Sequence, residues 1–319
     1  MKAMILAAGL GTRLRPLTDT RPKALVEING RTLLEITLMR LRSFGVNEVI
    51  VNVHHFCDMV VDYLKARNNF GMRIEISRED DLLLDTGGGL KKASWFFLEN
   101  ARQGTTSVVP KSAGNRGALA SEASGLSSTP NDEPFLLHNV DVISTIDLHR
   151  MLHFHEEHCA LATLAVQSRD SSRLLLFDDD LQLVGRAVPG TTAEKDGVIP
   201  SLPAQAGEAR NPGKVSAQRT IDPQRVAPSS NSPLATRHSF TPSSERQLPF
   251  GFSGIHIISP RLLPMLTEEG VFSIIDSYLR LAALGEKILA FRADKYYWRD
   301  LGRPADLSQA ALDLQQEML

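Results

Sequence analysis

Apolar and polar positions alternate in two rhythms over the first eighty residues. Ala3 to Ala8 is a short unbroken apolar run closed by Gly9, the pattern of a strand buried on both faces of a parallel sheet. Over 33–44 the apolar residues Leu34, Leu38 and Leu41 recur at near-helical spacing, and Gly45 supplies a helix stop. Glu48 to Val53 is rich in β-branched residues and predicts a second strand. Phe56, Met59, Val60, Tyr63 and Leu64 then fall at i, i+3, i+4, i+7 and i+8, the stripe of an amphipathic helix. Met72 to Ser77 predicts a third strand.

Strands and helices in strict alternation imply an α/β layered fold whose sheet is mostly parallel and whose crossovers are right-handed. In such sheets ligands bind at the carboxyl ends of the strands. Further strands are predicted over 135–137, 160–167, 173–177, 252–258 and 288–291, and helices over 146–158, 273–284 and 305–318. Two stretches break the rhythm. Residues 101–133 and 196–247 are dominated by small and polar residues, with too few large apolar side chains to offset the entropy of ordering. Both read as flexible insertions in a single domain spanning 1–319, and no internal repeat is present.

The charge adds an exclusion. With 35 Lys and Arg against 37 Asp and Glu, the net charge of −2 creates no field to draw nucleic acid or an anionic membrane, so anion binding must be local. No run of about 18 apolar residues occurs, and the apolar N-terminus is soon interrupted by Gly9, Gly11, Arg13 and Arg15, which points to a cytoplasmic protein without a membrane partner. A homo-oligomer stays open. The two cysteines, Cys57 and Cys159, read as reduced core thiols. His153, His155 and His158 share one predicted helix without a metal-site pattern and read as solvated surface histidines.

The chemistry concentrates after the first strand, where the chain runs Leu6-Ala7-Ala8-Gly9-Leu10-Gly11-Thr12-Arg13-Leu14-Arg15-Pro16-Leu17-Thr18 and then Pro22-Lys23-Ala24-Leu25. Two glycines in a turn allow backbone N–H groups to converge on an anion. Arg13 can bridge two phosphate oxygens, and Lys23 is a compact point charge. A dinucleotide fingerprint fails because Leu14 stands where a third glycine or alanine is required, and no G-K-[ST] makes a P-loop.

The full string L-A-A-G-x-G-T-R-L-R-P-L-T followed by P-K-x-L-V is more specific than any glycine turn. It resembles the opening motif of the sugar-1-phosphate nucleotidyltransferases, Rossmann-like (glycosyltransferase-A-like) proteins with a mixed, mostly parallel sheet flanked by helices. The resemblance covers residues 1–100, 134–177 and 250–310. It implies condensation of a nucleoside triphosphate with a sugar 1-phosphate, with Mg²⁺ as cofactor. It also assigns roles: Leu6, Ala8, Gly9, Gly11, Thr12 and Arg13 to the nucleotide, with Arg13 and Lys23 catalytic and Lys23 contacting phosphates.

Asp85-Thr86-Gly87-Gly88-Gly89 resembles the turn that closes over the nucleobase, which adds Gly87 and Gly88 to the nucleotide set. Phe135 to Val142 is an apolar strand ending in polar residues, so Asn139 and Asp141 reach the carboxyl edge. Asp141 is the expected metal ligand, although Val140 replaces the glycine common in the family. Tyr297 to Pro304 resembles the W-x-D-x-G-x-P segment and makes Asp300 the second ligand. Phe252-Ser253-Gly254-Ile255 resembles the sugar-pocket strand, so Asn139, Gly254, Lys23 and Lys195 are expected around the sugar phosphate. A non-catalytic nucleotide-sugar sensor of the same fold is the competing expectation, and the joint presence of Arg13, Lys23, Asp141 and Asp300 argues against it.

Overall fold

Ala3 and Ile5 pack on one face of the first strand and Met4 on the other, so the unbroken apolar run at the N-terminus is buried from both sides. The computed structural model describes residues 1–103, 133–171, 173–187 and 247–315. In chain order its elements begin with β1 (Lys2–Leu6), a small hairpin of β2 (Glu27–Ile28) and β3 (Arg31–Thr32), α1 (Leu33–Ser43), β4 (Glu48–Val53), α2 (Cys57–Ala66), β5 (Arg73–Arg78) and α3 (Asp85–Gln103). They continue with β6 (Phe135–Asn139), β7 (Val142–Ser144), α4 (Leu148–Glu157), β8 (Ala162–Gln167), β9 (Leu174–Phe177), β10 (Leu183–Arg186) and β11 (Leu248–Ile258). The chain closes with α5 (Ile274–Ala283), β12 (Ile288–Arg292), β13 (Trp298–Asp300) and α6 (Pro304–Gln315).

Nine strands form one mixed sheet along the path β10-β9-β11-β6-β1-β4-β5, with β8 on β11 and β12 on β8. All but β10 and β11 run in the same direction, so the sheet is mostly parallel, as the alternation of elements predicts. The chain order reverses about β1, which lies between β6 and β4. A crevice opens at such a reversal, outside the carboxyl ends of the strands.

Helices cover both faces. Residues of α1, α2, α4 and α6, including Leu38, Val60, Met151 and Leu307, form one core with Ile5 and Val51. Phe96 of α3 and Tyr278 of α5 form the other with Met4 and Ile50. Side chains of this size contribute about 1.5–3 kcal/mol each on full burial. Local signals fix the helix starts: the Thr32 hydroxyl accepts from the Glu35 N–H at 3.1 Å, and Asp147 accepts from the Arg150 N–H at 3.1 Å.

β11 changes neighbours along its length. Residues 248–251 pair with β9, while 255–258 pair with β6, and the register against β8 slips between Phe252 and His256. Gly254 sits at the slip with φ +73°, a left-handed conformation that favours glycine. A Cβ there would stand 2.7 Å from Asn139 Nδ2. Gly254→Ala should therefore cost about 1–2 kcal/mol from backbone strain alone, measured by denaturant melting. An unchanged midpoint would contradict the strained turn.

Three expectations are corrected. Residues 85–89 are not a free turn but the start of the 19-residue helix α3. A Cβ at Gly87 would collide with the Phe272 ring, and one at Gly88 would stand 2.5 Å from the Gly270 carbonyl oxygen, so these glycines let α3 pack on residues 270–272. His155 is buried, with Nδ1 3.0 Å from the Thr163 hydroxyl, whereas His153 and His158 are exposed as expected. Cys57 is buried, but Cys159 is exposed. The expected insertions at 101–133 and 196–247 lie almost wholly outside the described residues, as does Lys195. Among the described residues no helix is long and apolar enough to cross a membrane.

Candidate functional site

A cavity of about 370 Å³ opens at the carboxyl ends of β1, β4 and β6. Leu6, Ala8, Gly9, Lys23, Asn139 and Asp141, all singled out from the sequence, line it. Their convergence follows from topology: all but Lys23 belong to a strand end or to the turn just beyond it, and Lys23 is brought in by the loop that folds back after β1. A Cβ at Gly9 would meet nothing within 4 Å, so the backbone there faces open space.

The loop after β1 folds back on itself. Gly11 has φ +63°, its carbonyl accepts from the Thr18 hydroxyl at 2.9 Å and from the Leu14 N–H at 2.8 Å, and a Cβ would press on Thr18 and Lys23. A glycine is needed there for both conformation and space. The loop thus rests on the stem of Lys23, whose ammonium forms an ion pair with Asp141. Lys23 is buried to within 8% of its surface, so this pair is shielded from solvent and salt more than a surface pair would be.

β13 lies antiparallel to β7 and brings the second carboxylate to the same region. Asp300 is opposite Val142, and the Leu301 N–H donates to the main-chain oxygen of Asp141 at 2.8 Å. One Asp300 oxygen accepts from the Gly302 N–H at 2.6 Å, so its carboxylate is oriented by its own turn rather than serving as the cap of α6. Arg13 reaches this point from the glycine loop. A Cβ at Gly302 would collide with the Arg13 guanidinium and stand 2.7 Å from Asp300 Oδ1, which shows how closely the two approach. Arg13 and Thr12 are otherwise exposed. Gly254 touches Asn139 on the far side of β6.

Asn52, Leu83 and Val271, not singled out from the sequence, complete the cavity wall together with Val140 and with Asp85 and Thr86, which the sequence offered only as part of the glycine motif. Asn52 Oδ1 accepts from the Ala7 N–H at 2.7 Å, and its Nδ2 donates to Glu79 Oε1 at 2.7 Å. The other Glu79 oxygen accepts from the Leu84 N–H at 2.9 Å. This buried relay ties the loop after β1 to the loop after β5. A polar residue inside Glu-Val-Ile-Val-Asn-Val was its one visible signal. Gly87 and Gly88 are not among the lining residues, because they face 270–272.

Beneath the site, His138 is fully buried beside Asn139, with Nδ1 2.8 Å from the Asn139 carbonyl oxygen. Burial lowers its pKa from the usual 6.5 to about 4, so it is uncharged at neutral pH. Burial also lowers the pKa of Arg40, on the adjoining helix α1, to about 10, partly offset by Asp147. The cavity therefore combines converging backbone, the Lys23 cation and the carboxylates of Asp85 and Asp141, with Arg13 and Asp300 meeting beside Gly302 outside its lining and no histidine in its wall. That set can hold and neutralise phosphates.

Comparison with known proteins agrees. The family model described as nucleotidyl transferase matches residues 2–174. N-acetylmuramate alpha-1-phosphate uridylyltransferase of Caulobacter vibrioides is 54% identical over 93 residues, covering 28% of this chain and 38% of that protein. Mannose-1-phosphate guanyltransferase of Emericella nidulans is 32% identical over 171 residues, covering 53% of this chain and 38% of that protein. The matched stretch thus spans well under half of these relatives. Among solved structures, a putative glucose-1-phosphate thymidylyltransferase from Bacillus anthracis superposes with a TM-score of 0.62 at 13% identity, covering 98% of this chain and 94% of that one. A UDP-glucose pyrophosphorylase complexed with UDP-glucose gives 0.61 at 14% identity, covering 99% and 98%. These two likenesses show the fold. With the family model over more than half its length, the chain belongs to the nucleotidyl transferase family.

Proposed function

We propose that the protein joins a nucleoside triphosphate to a sugar 1-phosphate, giving a nucleotide-diphosphate sugar and pyrophosphate. The observation that carries this reading is the single cavity in which the glycine turn and Lys23 meet Asp141. The backbone of Leu6, Ala8 and Gly9 lines the nucleotide side, Arg13 and Lys23 supply charge to the phosphates, and Asn139 and Gly254 border the sugar side.

In the reaction an oxygen of the sugar phosphate forms a bond to the α-phosphorus as the bond to the bridging oxygen of pyrophosphate breaks. A phosphate monoester is largely dianionic at neutral pH, its second pKa being about 6, so no general base is required. Arg13 and Lys23 orient the triphosphate and neutralise the charge on the departing oxygens. Asp141 and Asp300 would hold a magnesium ion: both are hard oxygen donors on neighbouring stretches of backbone, joined by the Leu301 N–H bond to the Asp141 carbonyl, and magnesium typically takes one or two carboxylates together with phosphate oxygens. When bound, that ion neutralises phosphate charge.

UTP with N-acetylmuramate 1-phosphate is the first substrate pair to try, since two uridylyltransferases named for that sugar, from Caulobacter vibrioides and Neisseria meningitidis, match 93 residues each at 54% and 42% identity. Release of pyrophosphate from a matrix of UTP, GTP, dTTP, CTP and ATP against N-acetylmuramate, glucose and mannose 1-phosphates is the test. Turnover of at least one pair is expected with magnesium present, and binding of nucleotide without any release would replace this reading by a sensor.

A further inference from the structure

Arg169 stands two residues beyond the carboxyl end of β8, on the same edge of the sheet as the cavity. Its guanidinium carbon lies 3.9 Å from the centroid of the Trp298 ring. Nη2 donates to the Phe252 carbonyl oxygen at 2.6 Å, and Trp298 donates its indole N–H to the Ser253 carbonyl oxygen at 2.7 Å. The side chain fills the space beside Gly251, where a Cβ would stand 2.9 Å from its Cγ, Nε and Cζ.

Those contacts fix the guanidinium without neutralising it. Nε is buried with no hydrogen-bond partner, and among the described residues Arg169 forms no ion pair. Asp300 is the carboxylate whose charge it feels, and burial outweighs that influence to lower its pKa below the usual arginine value. A half-buried cation that feels a carboxylate only at a distance and forms no ion pair is unfavourable unless an anion completes it. A guanidinium held on an aromatic face keeps the planar fork that suits a phosphate.

Its place in the sheet says which phosphate. Neighbouring strands run β8, β11, β6, β1. The glycine turn follows β1, Asp141 follows β6 and Arg169 follows β8, so Arg169 and the turn lie on opposite flanks of Asp141. Displacement at phosphorus places the entering and leaving oxygens roughly in line, on opposite sides.

We infer that Arg169 binds the phosphate of the sugar 1-phosphate, forming the acceptor subsite on the flank of Asp141 and Asp300 remote from the glycine turn. The inference rests on the proposed reaction. Arg169→Met keeps an apolar stem against Trp298 without the charge, and Arg169→Lys keeps the charge without the fork.

Initial rates of pyrophosphate release are measured for the full chain and both variants, with UTP or GTP and each of N-acetylmuramate, glucose and mannose 1-phosphates. The KM for the sugar 1-phosphate should rise about tenfold or more in Arg169→Met, with Arg169→Lys intermediate, corresponding to the loss of one charge-assisted contact. The KM for the triphosphate and the melting temperature should stay near those of the parent. An unchanged acceptor KM overturns the inference, and so does a joint rise of both KM values with a fall in melting temperature, which marks a packing role on Trp298. Absence of release by the unaltered chain with every pair instead overturns the proposed reaction, and the inference falls with it.

Discussion

Asp141→Asn is expected to slow pyrophosphate release by about 10²–10³-fold, comparable with the loss of one preorganised charge-stabilising group, while leaving the fold intact. The amide has nearly the same shape as the carboxylate but no charge, so it can neither offset Lys23 nor serve as a strong ligand for a hard cation. The fold survives because β13 is positioned by the main chain: it is the carbonyl oxygen of residue 141, not its side chain, that accepts from the Leu301 N–H. Steady-state release, thermal melting and the binding of Mn²⁺ followed by spin resonance together test this. Turnover near that of the parent would remove Asp141 from the metal assignment. A collapse of melting temperature would show instead that the Lys23 pair is structural.

Acid should destabilise the protein from about pH 6.5 downward, before its carboxylates begin to titrate. Burial lowers the pKa of His138 and His155 to about 4 and that of His256 to about 3, from a usual value of 6.5. For His138 and His155 nearby arginines push the same way, from Arg40 and Arg261, and for His256 the push comes from His138. All three are neutral in the folded state, whereas the unfolded chain binds their protons near pH 6.5. The unfolded state therefore holds more protons below that pH, and stability falls as the pH drops from about 6.5 towards 4. At pH 5 each histidine forfeits about 2 kcal/mol, on the order of 6 kcal/mol together. That corresponds to a fall of roughly 10–20 °C in melting temperature for a domain of this size. Calorimetric melts at pH 7.5 and 5.0 check it. His256→Gln, which cannot titrate, should reduce the difference, and melting temperatures that agree at the two pH values would contradict the burial of these rings.

The sequence made the donor half of the site legible because its signals are local. A glycine turn directly after an apolar strand, a lysine a few residues on, and an aspartate at the end of another apolar strand need only an α/β layering to bring them to one edge. Asp85, Thr86 and Val271 needed more. They reach the cavity because the first turn of α3 docks on residues 270–274, with the Thr86 hydroxyl accepting from the Ile274 N–H at 3.0 Å, a pairing 188 residues apart. The glycine triplet misled for a physical reason: glycine marks turns, but it also permits close packing, and at 87 and 88 packing prevails over its poor helix propensity. His155 lies in a mostly polar helix and is buried by its contact with β8, which the helix itself cannot reveal. Arg169 reads in the sequence as one more loop arginine, and only the folded chain sets it on Trp298.

The change of partner along β11 bears on how the chain can assemble during synthesis. β5, β4, β1 and β6 have all their mutual partners once residue 139 has been made. Among the described strands, however, β8 pairs with nothing earlier in the chain: its neighbours are β11 and β12. The family match ends at residue 174, seventy-odd residues short of β11. A nascent chain of that length would carry a finished parallel half and a β8 with both edges bare, and the two halves are stitched into one sheet only when 248–258 threads between them.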